Sequence, residues 1–212
     1  MNVIELHFPV LGESLAVDHG YALYGAISRL VPSLHADDSP VSIGPIRGDY
    51  AGNGRLNLNR HSVLRLRLPT DLVPQLLLLA GKPLELDGRR VRLGVPQIRA
   101  IIPAANLFAR IVTIKVSGID NPSPEHFLDA VRRRLRESEI DGEPHLPTVA
   151  SGPHTGQPRR RVLSLKERRL IGFALTVAGL SPEASFRLQR DSPFSRRRMG
   201  CGFFVPVEEG DS

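Results

Sequence analysis

Along NVIELHFPV, residues 2 to 10, apolar side chains alternate with polar ones, the period of a strand. The period then lengthens. In AVDHGYALYGAISRLV, Leu23, Ile27, Leu30 and Val31 form one helical stripe, with Asp18 placed as N-cap and Pro32 disfavouring continuation. VSIGPI (41 to 46) and SVLRLRLP (62 to 69) are strand-like. In the second of these, Leu64, Leu66 and Leu68 alternate with Arg65 and Arg67, which predicts one covered face and one wet face. DLVPQLLLLAG predicts a short helix from Asp71 to Gly81, with Pro74 early enough to be tolerated. LELDGRRVRLG predicts a hairpin about the favoured Asp87-Gly88 turn.

The second half repeats this order. NLFARIVTIKV (106 to 116) is a β-branched strand, and SPEHFLDAVRRRLRES (123 to 138) a helix capped by Ser123, opened by Pro124 and apolar at Phe127, Leu128, Val131 and Leu135. The stretch 141 to 158, rich in Pro, Gly, His and Ser, has no periodicity and predicts an exposed loop or a disordered segment. RRVLSLK and LIGFALTVAGL are strands, SPEASFRLQ (181 to 189) is a capped helix and CGFFVPV a final strand. Strand, helix, strand, strand, helix, strand, read twice, is the ferredoxin-like order. The expected class is therefore α+β, with two tandem ferredoxin-like (RRM-like) domains over residues 1–103 and 104–212, each an antiparallel sheet with helices on one face. A single larger α+β domain is the alternative.

Length and an apolar content of 41% allow either one large core or two small ones. The longest apolar stretch, LVPQLLLLA (72 to 80), is far short of the roughly 20 residues of a membrane span, and the acidic, alternating N-terminus is unlike a signal peptide. The expectation is a soluble, cytoplasmic protein with no membrane partner. Cys201 is the single cysteine, so no internal disulfide is possible, and no Cys/His cluster has zinc spacing. Neither a metal nor a cofactor is expected.

Charge is unevenly distributed. Arg159, Arg160, Arg161, Lys166, Arg168, Arg169, Arg187, Arg190, Arg196, Arg197 and Arg198 stand against only Glu167, Glu183 and Asp191, an excess larger than the net +6 of the whole chain. One basic segment on a near-neutral body points to a polyanion, because neutralising phosphates releases counterions where the arginines lie. An acidic protein, a membrane surface or an idle charged face are the competing readings.

Paired catalytic carboxylates, a P-loop, a dinucleotide fingerprint, a GxSxG elbow, an HExxH helix and twin His-x-Thr motifs are all absent. Histidines remain. His19 falls in the first turn of the first helix, where the dipole favours a neutral ring, and its bland role is packing beside Tyr21. His35 lies just past the helix end, either hydrogen-bonding the last carbonyls or reaching a ligand. His61 and His126 read as surface positions, and His145 and His154 fall in the aperiodic loop. Tyr21, Tyr24 and Ser28 share a helical face, which ordinarily means half-buried packing. The run RRRLRE (132 to 137) reads as a solvated helix surface unless its open face joins the later arginines. In RRRMGCGFF (196 to 204), Gly200 and Gly202 permit positive φ and offer N–H groups to phosphate, against the plainer reading of a tight turn before the last strand.

VDHGYALYGAISRLVPSLH (17 to 35), LPTDLVPQLLLLAGKPLEL (68 to 86), ARIVTIK (109 to 115) and RRRMGCGFFVP (196 to 206) resemble the CRISPR-associated repeat-RNA endoribonucleases of the RAMP superfamily, and among them the Myxococcus-type subgroup. The resemblance spans almost the whole chain. It implies two ferredoxin-like domains, a glycine-rich RNA-contacting loop at RRRMGCGFF, and a cleaving histidine at Leu34-His35. It also implies metal-independent cutting of CRISPR precursor RNA: the 2′-OH attacks the scissile phosphate, giving a 2′,3′-cyclic phosphate end. Where some members carry a tyrosine in the first helix this chain has Ser28, and it has no lysine before Lys82, so a cationic helper is an arginine such as Arg47, a later lysine, or absent. DSPFS (191 to 195) also replaces the earlier glycine-rich half of the family loop.

The expected catalytic set is His35, His19 and Ser28. The expected RNA-binding set is Arg159, Arg160, Arg161, Lys166, Arg168, Arg169, Arg196, Arg197, Arg198, Gly200 and Gly202. Repeat RNA is the expected partner, with other effector-complex subunits joining it. The alternatives are a non-catalytic RNA-binding subunit of the same machinery and a general RNA-binding protein.

Overall fold

The computed structural model describes residues 2–36, 38–115, 121–166 and 168–207. The chain divides into two compact units, Met1–Ile101 with Arg198–Gly200, and Ile102–Arg197 with Cys201–Ser212. The division thus falls just before the expected boundary at Pro103. Arg198–Gly200, placed by sequence in the second domain, belong with the first.

The first unit contains β1 (Val3–Leu11), β2 (Ser14–Ala16), α1 (Gly20–Leu30), β3 (Ser42–Ile43), β4 (Asp49–Tyr50), β5 (Arg55–Asn57), β6 (Val63–Pro69), α2 (Val73–Leu77), β7 (Pro83–Leu86), β8 (Arg89–Leu93) and β9 (Gln97–Ala100). Its main sheet runs β3-β6-β1-β8-β7, and β9 also pairs with β1. Because β1 alternates, Leu6, Phe8 and Val10 enter the core with Leu64, Leu66 and Leu68 of β6 and with Leu23 and Ile27 of α1. Asp87 and Gly88 have φ of 51° and 76°, as the two central positions of a type I′ hairpin require. A small second sheet, β2-β5-β4, is built from the segments flanking α1 and β3.

The second unit contains β10 (Leu107–Val112), α3 (Pro124–Glu137), β11 (Glu143–His145), β12 (Arg160–Leu165), β13 (Arg168–Ala178), α4 (Pro182–Arg190) and β14 (Val205–Pro206). Its sheet runs β11-β13-β10-β14, with β12 on β13. In both units the first strand of the motif lies between the third and the fourth, with the second outside the third, the ferredoxin-like arrangement in an α+β protein. Ser123 and Ser181 cap α3 and α4, accepting from the N–H groups of His126 and Ala184. Among the described residues no helix is long and apolar enough to cross a membrane.

Some local expectations differ. His19, not Asp18, occupies the cap position of α1 and makes no side-chain cap bond. Only two residues of VSIGPI form a strand. The stretch 141 to 158 is neither bare loop nor disorder: β11 pairs with β13, and Thr148 bridges Pro158. Val116, the last residue of the strand expected over 106 to 116, lies outside the described residues.

The wet face expected on β6 is not wet at Arg67, which is 2% exposed. Its register partner on β1 is Glu5, and Arg67 Nε donates to Glu5 Oε1 at 3.1 Å while His7 Nε2 lies 2.6 Å from Oε2. Burial alone would push the Glu5 carboxyl up, but the His7 hydrogen bond and the Arg67 guanidinium outweigh it and hold the group at about 2, below its ordinary 4.5. Burial lowers the Arg67 guanidinium against the opposing pull of Glu5, and a guanidinium starting from so high a value stays charged at neutral pH.

Arg67→Met should cost about 3–5 kcal/mol in urea unfolding at neutral pH, because it strands a buried carboxylate. Since the folded Glu5 pKa is depressed, its stabilisation is fully present above pH about 4.5 and fades as pH falls toward 2. Denaturation midpoints should drop through that window in the natural protein, and the Glu5 contribution to the drop should shrink in Arg67→Met, where only His7 still holds the carboxyl down.

Candidate nucleic-acid interface

Pro32 lacks the N–H that would continue α1, and the chain tightens into a 3₁₀ turn, Pro32–His35. Leu34, 1% exposed, pins the turn to the core, and its N–H bonds the Val31 carbonyl at 3.1 Å. His35 is left exposed. Its Nδ1 lies 3.2 Å from the Tyr24 hydroxyl, and the rings meet edge to face with centroids 5.6 Å apart. Among the described residues Nε2 has no protein partner. Arg198 completes the cluster. Its Nη1 donates to the carbonyls of Leu34 and, at 2.6 Å, Ala36, and its guanidinium carbon sits 5.5 Å from the Tyr24 ring centroid. His35 and Arg198 therefore come together, whereas Arg198, expected on phosphate, is committed to backbone carbonyls.

Tyr24 was missed by sequence reasoning, which took it for packing. The available signal was its helical position, two turns before the helix end on the face that leads to His35.

The other two catalytic expectations are corrected. His19 is 1% exposed. Its Nδ1 lies 2.8 Å from the Ala16 carbonyl and its Nε2 accepts from the Ile46 N–H at 3.0 Å, so the ring is neutral, protonated on Nδ1, and fully spent on structure. Ser28 is also 1% exposed, with a hydroxyl lacking any partner, enclosed where RNA cannot reach it.

The glycine loop is corrected as well. Gly202 is buried at φ 61°, and its N–H, expected free for phosphate, donates to the Ile111 carbonyl at 2.8 Å. A Cβ there would stand 2.8 Å from Ser192 Oγ, so glycine is required by space as well as by φ. Gly200, at φ 83°, is buried against Pro45. Both are turn glycines. The charge of the loop is carried by Arg196, exposed at φ 63°, and by Arg197, which is half-buried.

In the second unit the β12–β13 hairpin carries the remaining basic residues. Lys166, Arg168 and Arg169 are exposed at its tip, with Arg168 opposite Leu165 and Arg169 opposite Ser164, so the two arginines project from opposite faces. Arg160 is exposed and donates to Asn121 Oδ1, while Arg159 Nε donates to the Thr148 carbonyl at 2.6 Å. Arg161 is half-buried, and burial, reinforced by the Arg159 charge, lowers its pKa. The charge run on α3 is matched by acids, Arg132 with Glu143 and Asp129, Arg133 and Arg134 with Glu137, which is the solvated reading.

His19→Ala should destabilise the first unit by roughly 2–3 kcal/mol, since it orphans the Ile46 N–H and the Ala16 carbonyl. His35→Ala, at an exposed site, should stay within about 0.5 kcal/mol of the natural protein. Thermal melts of the two variants check this contrast.

The sequence profile of the family described as Cas6 Crispr matches residues 4–209. The CRISPR-associated endonuclease Cas6 of Myxococcus xanthus is 37% identical over 206 residues, covering 97% of this chain and 82% of that protein. Two solved structures share the fold across almost the whole chain. A CRISPR associated protein Cas6 superposes with a TM-score of 0.69 at 11% identity, covering 98% of this chain and 100% of that one. A RAMP protein binding different RNA substrates gives 0.68 at 16% identity, covering 97% and 100%. With nearly every residue inside the family profile and more than a third identical to the Myxococcus protein, this chain belongs to the Cas6 family of CRISPR-associated proteins.

Proposed function

We propose that this chain is a metal-independent endoribonuclease that cuts CRISPR precursor RNA within its repeats. The carrying observation is the exposed His35 ring, engaged by Tyr24 on Nδ1 and mounted on a turn held by Arg198. The Myxococcus relative is an endonuclease, and one structural neighbour is a RAMP protein binding RNA, which supports the reading.

When the Tyr24 oxygen accepts from Nδ1–H, the lone pair falls on Nε2, where it takes the proton of the ribose 2′-OH beside the scissile phosphate. The 2′-oxygen bonds to phosphorus as the bond to the 5′-oxygen breaks, the leaving 5′-oxygen takes a proton from water, His35 returns its proton to solvent, and the products end in a 2′,3′-cyclic phosphate and a 5′-OH. Such proton transfer is usually worth about 10²–10⁴-fold, and Tyr24 acts as a positioning residue. Arg196 and Arg197 add positive charge that attracts the RNA backbone. Holding the flexible strand with its 2′-oxygen in line supplies a further large share. The β12–β13 hairpin, basic on both faces, reads the phosphates of a short A-form stem by shape. The reaction takes place in the cytoplasm, with other effector subunits as partners of the product complex.

In EDTA the natural protein should make one defined cut in its repeat RNA and leave a cyclic phosphate. His35→Ala should lose cutting and keep binding; full activity in that variant would remove His35 from the mechanism. Neutralising Arg196 and Arg197 should make the salt dependence of RNA binding shallower by roughly one unit of log–log slope per lost phosphate contact. An unchanged slope would move the RNA path elsewhere.

A further inference from the structure

The chain has eight phenylalanines and three tyrosines. Ten of these rings are buried or half-buried, and one, Tyr50 on β4, is 70% exposed. That ring stands on a built platform. β4 pairs with β5 and β5 with β2, so Tyr50, Leu56 and Leu15 lie in one cross-strand row whose far end is 0% exposed. The backbone before β4 is drawn so close to β5 that a Cβ on Gly48 would meet the Asn57 carbonyl oxygen at 2.4 Å. The turn joining the strands has three consecutive left-handed residues, Gly52, Asn53 and Gly54 at φ 81°, 48° and 68°, and its Gly54 carbonyl accepts from the Val17 N–H at 2.8 Å. A ring fixed in this way has little conformational freedom left to lose on binding.

Its surroundings are cationic and polar. No acidic residue occurs between Tyr50 and Thr70, while Arg55 and Arg60 are exposed there. The adjoining Asp49 carboxylate is occupied by the Asn59 amide at 2.9 Å. The turn next to the ring, Gly52-Asn53-Gly54, adds none of the apolar surface that a protein partner would need. An exposed aromatic face on a segment that carries exposed arginines and no acid is suited to an unstacked base.

We propose that Tyr50 is an RNA-binding residue, on which an unpaired base of the repeat RNA stacks while Arg60 holds a flanking phosphate. This rests on the RNA reading above but uses none of its cleavage residues. The test uses repeat RNA carrying 2-aminopurine at unpaired positions, titrated into the natural protein, Tyr50→Ala and Tyr50→Trp. Tyr50→Ala should bind roughly tenfold more weakly with an unchanged salt slope, and should lose the quenching of one particular base. Tyr50→Trp should keep both, and melting of all three should nearly coincide because the ring is 70% exposed. Equal affinity and equal quenching in Tyr50→Ala, or equal weakening in Tyr50→Trp, would overturn the stacking role while leaving the nuclease intact. A natural protein that fails to bind the RNA at all would remove the RNA reading first, and this inference with it.

Discussion

The guanidinium of Arg198 binds the two backbone carbonyls that flank His35, Leu34 from one side and Ala36 from the other, across 164 residues of sequence. A helix that ends at a proline leaves its last carbonyls without intrahelical partners, and a turn built on such an end frays unless something satisfies them. Here the donor is charged, and a hydrogen bond from a charged group is worth about 1.5–3 kcal/mol. The same guanidinium lies over the Tyr24 ring, whose hydroxyl meets His35. One side chain thus fixes the turn, the tyrosine and, through both, the imidazole.

This constraint explains what sequence could and could not reveal about the site. The exposed position of His35 was legible because a histidine just past a proline-terminated helix has few packing duties. Arg198 was legible as charge, but the arginine run gave no hint that its third member turns inward. Tyr24 was hidden because a tyrosine at helical spacing from apolar residues reads as packing, and its hydroxyl partner lies beyond the helix. His19 and Ser28 failed for the opposite reason: whether a polar residue near a helix start or end faces water depends on what packs over it, here the Ile46 backbone for His19.

The fold was legible wherever a period repeated for long enough. The alternation in β1 and β6, the long apolar run of β13 and the serine caps of α3 and α4 each specify an element locally. Short elements were legible only in part: β3 and β14 lie inside longer expected strands and β11 was missed, because each is a strand through the neighbour it pairs with rather than through a pattern of its own. Arg67 belongs to the same class. Alternation assigned it to the wet face, and only its register partner Glu5 makes burial affordable.

The glycine loop shows how the two kinds of information combine. Gly202 gives its N–H to Ile111, so the backbone there is unavailable to phosphate and the loop is a rigid turn. Arg196, a residue with a Cβ, nevertheless sits at φ 63°, a conformation costing on the order of 1–3 kcal/mol. The Cys201 N–H closes on its carbonyl, which over-determines that strained geometry. Because the backbone is spent on holding the turn, what the loop offers an anion is the side chains of Arg196 and Arg197, that is, charges whose strength salt controls.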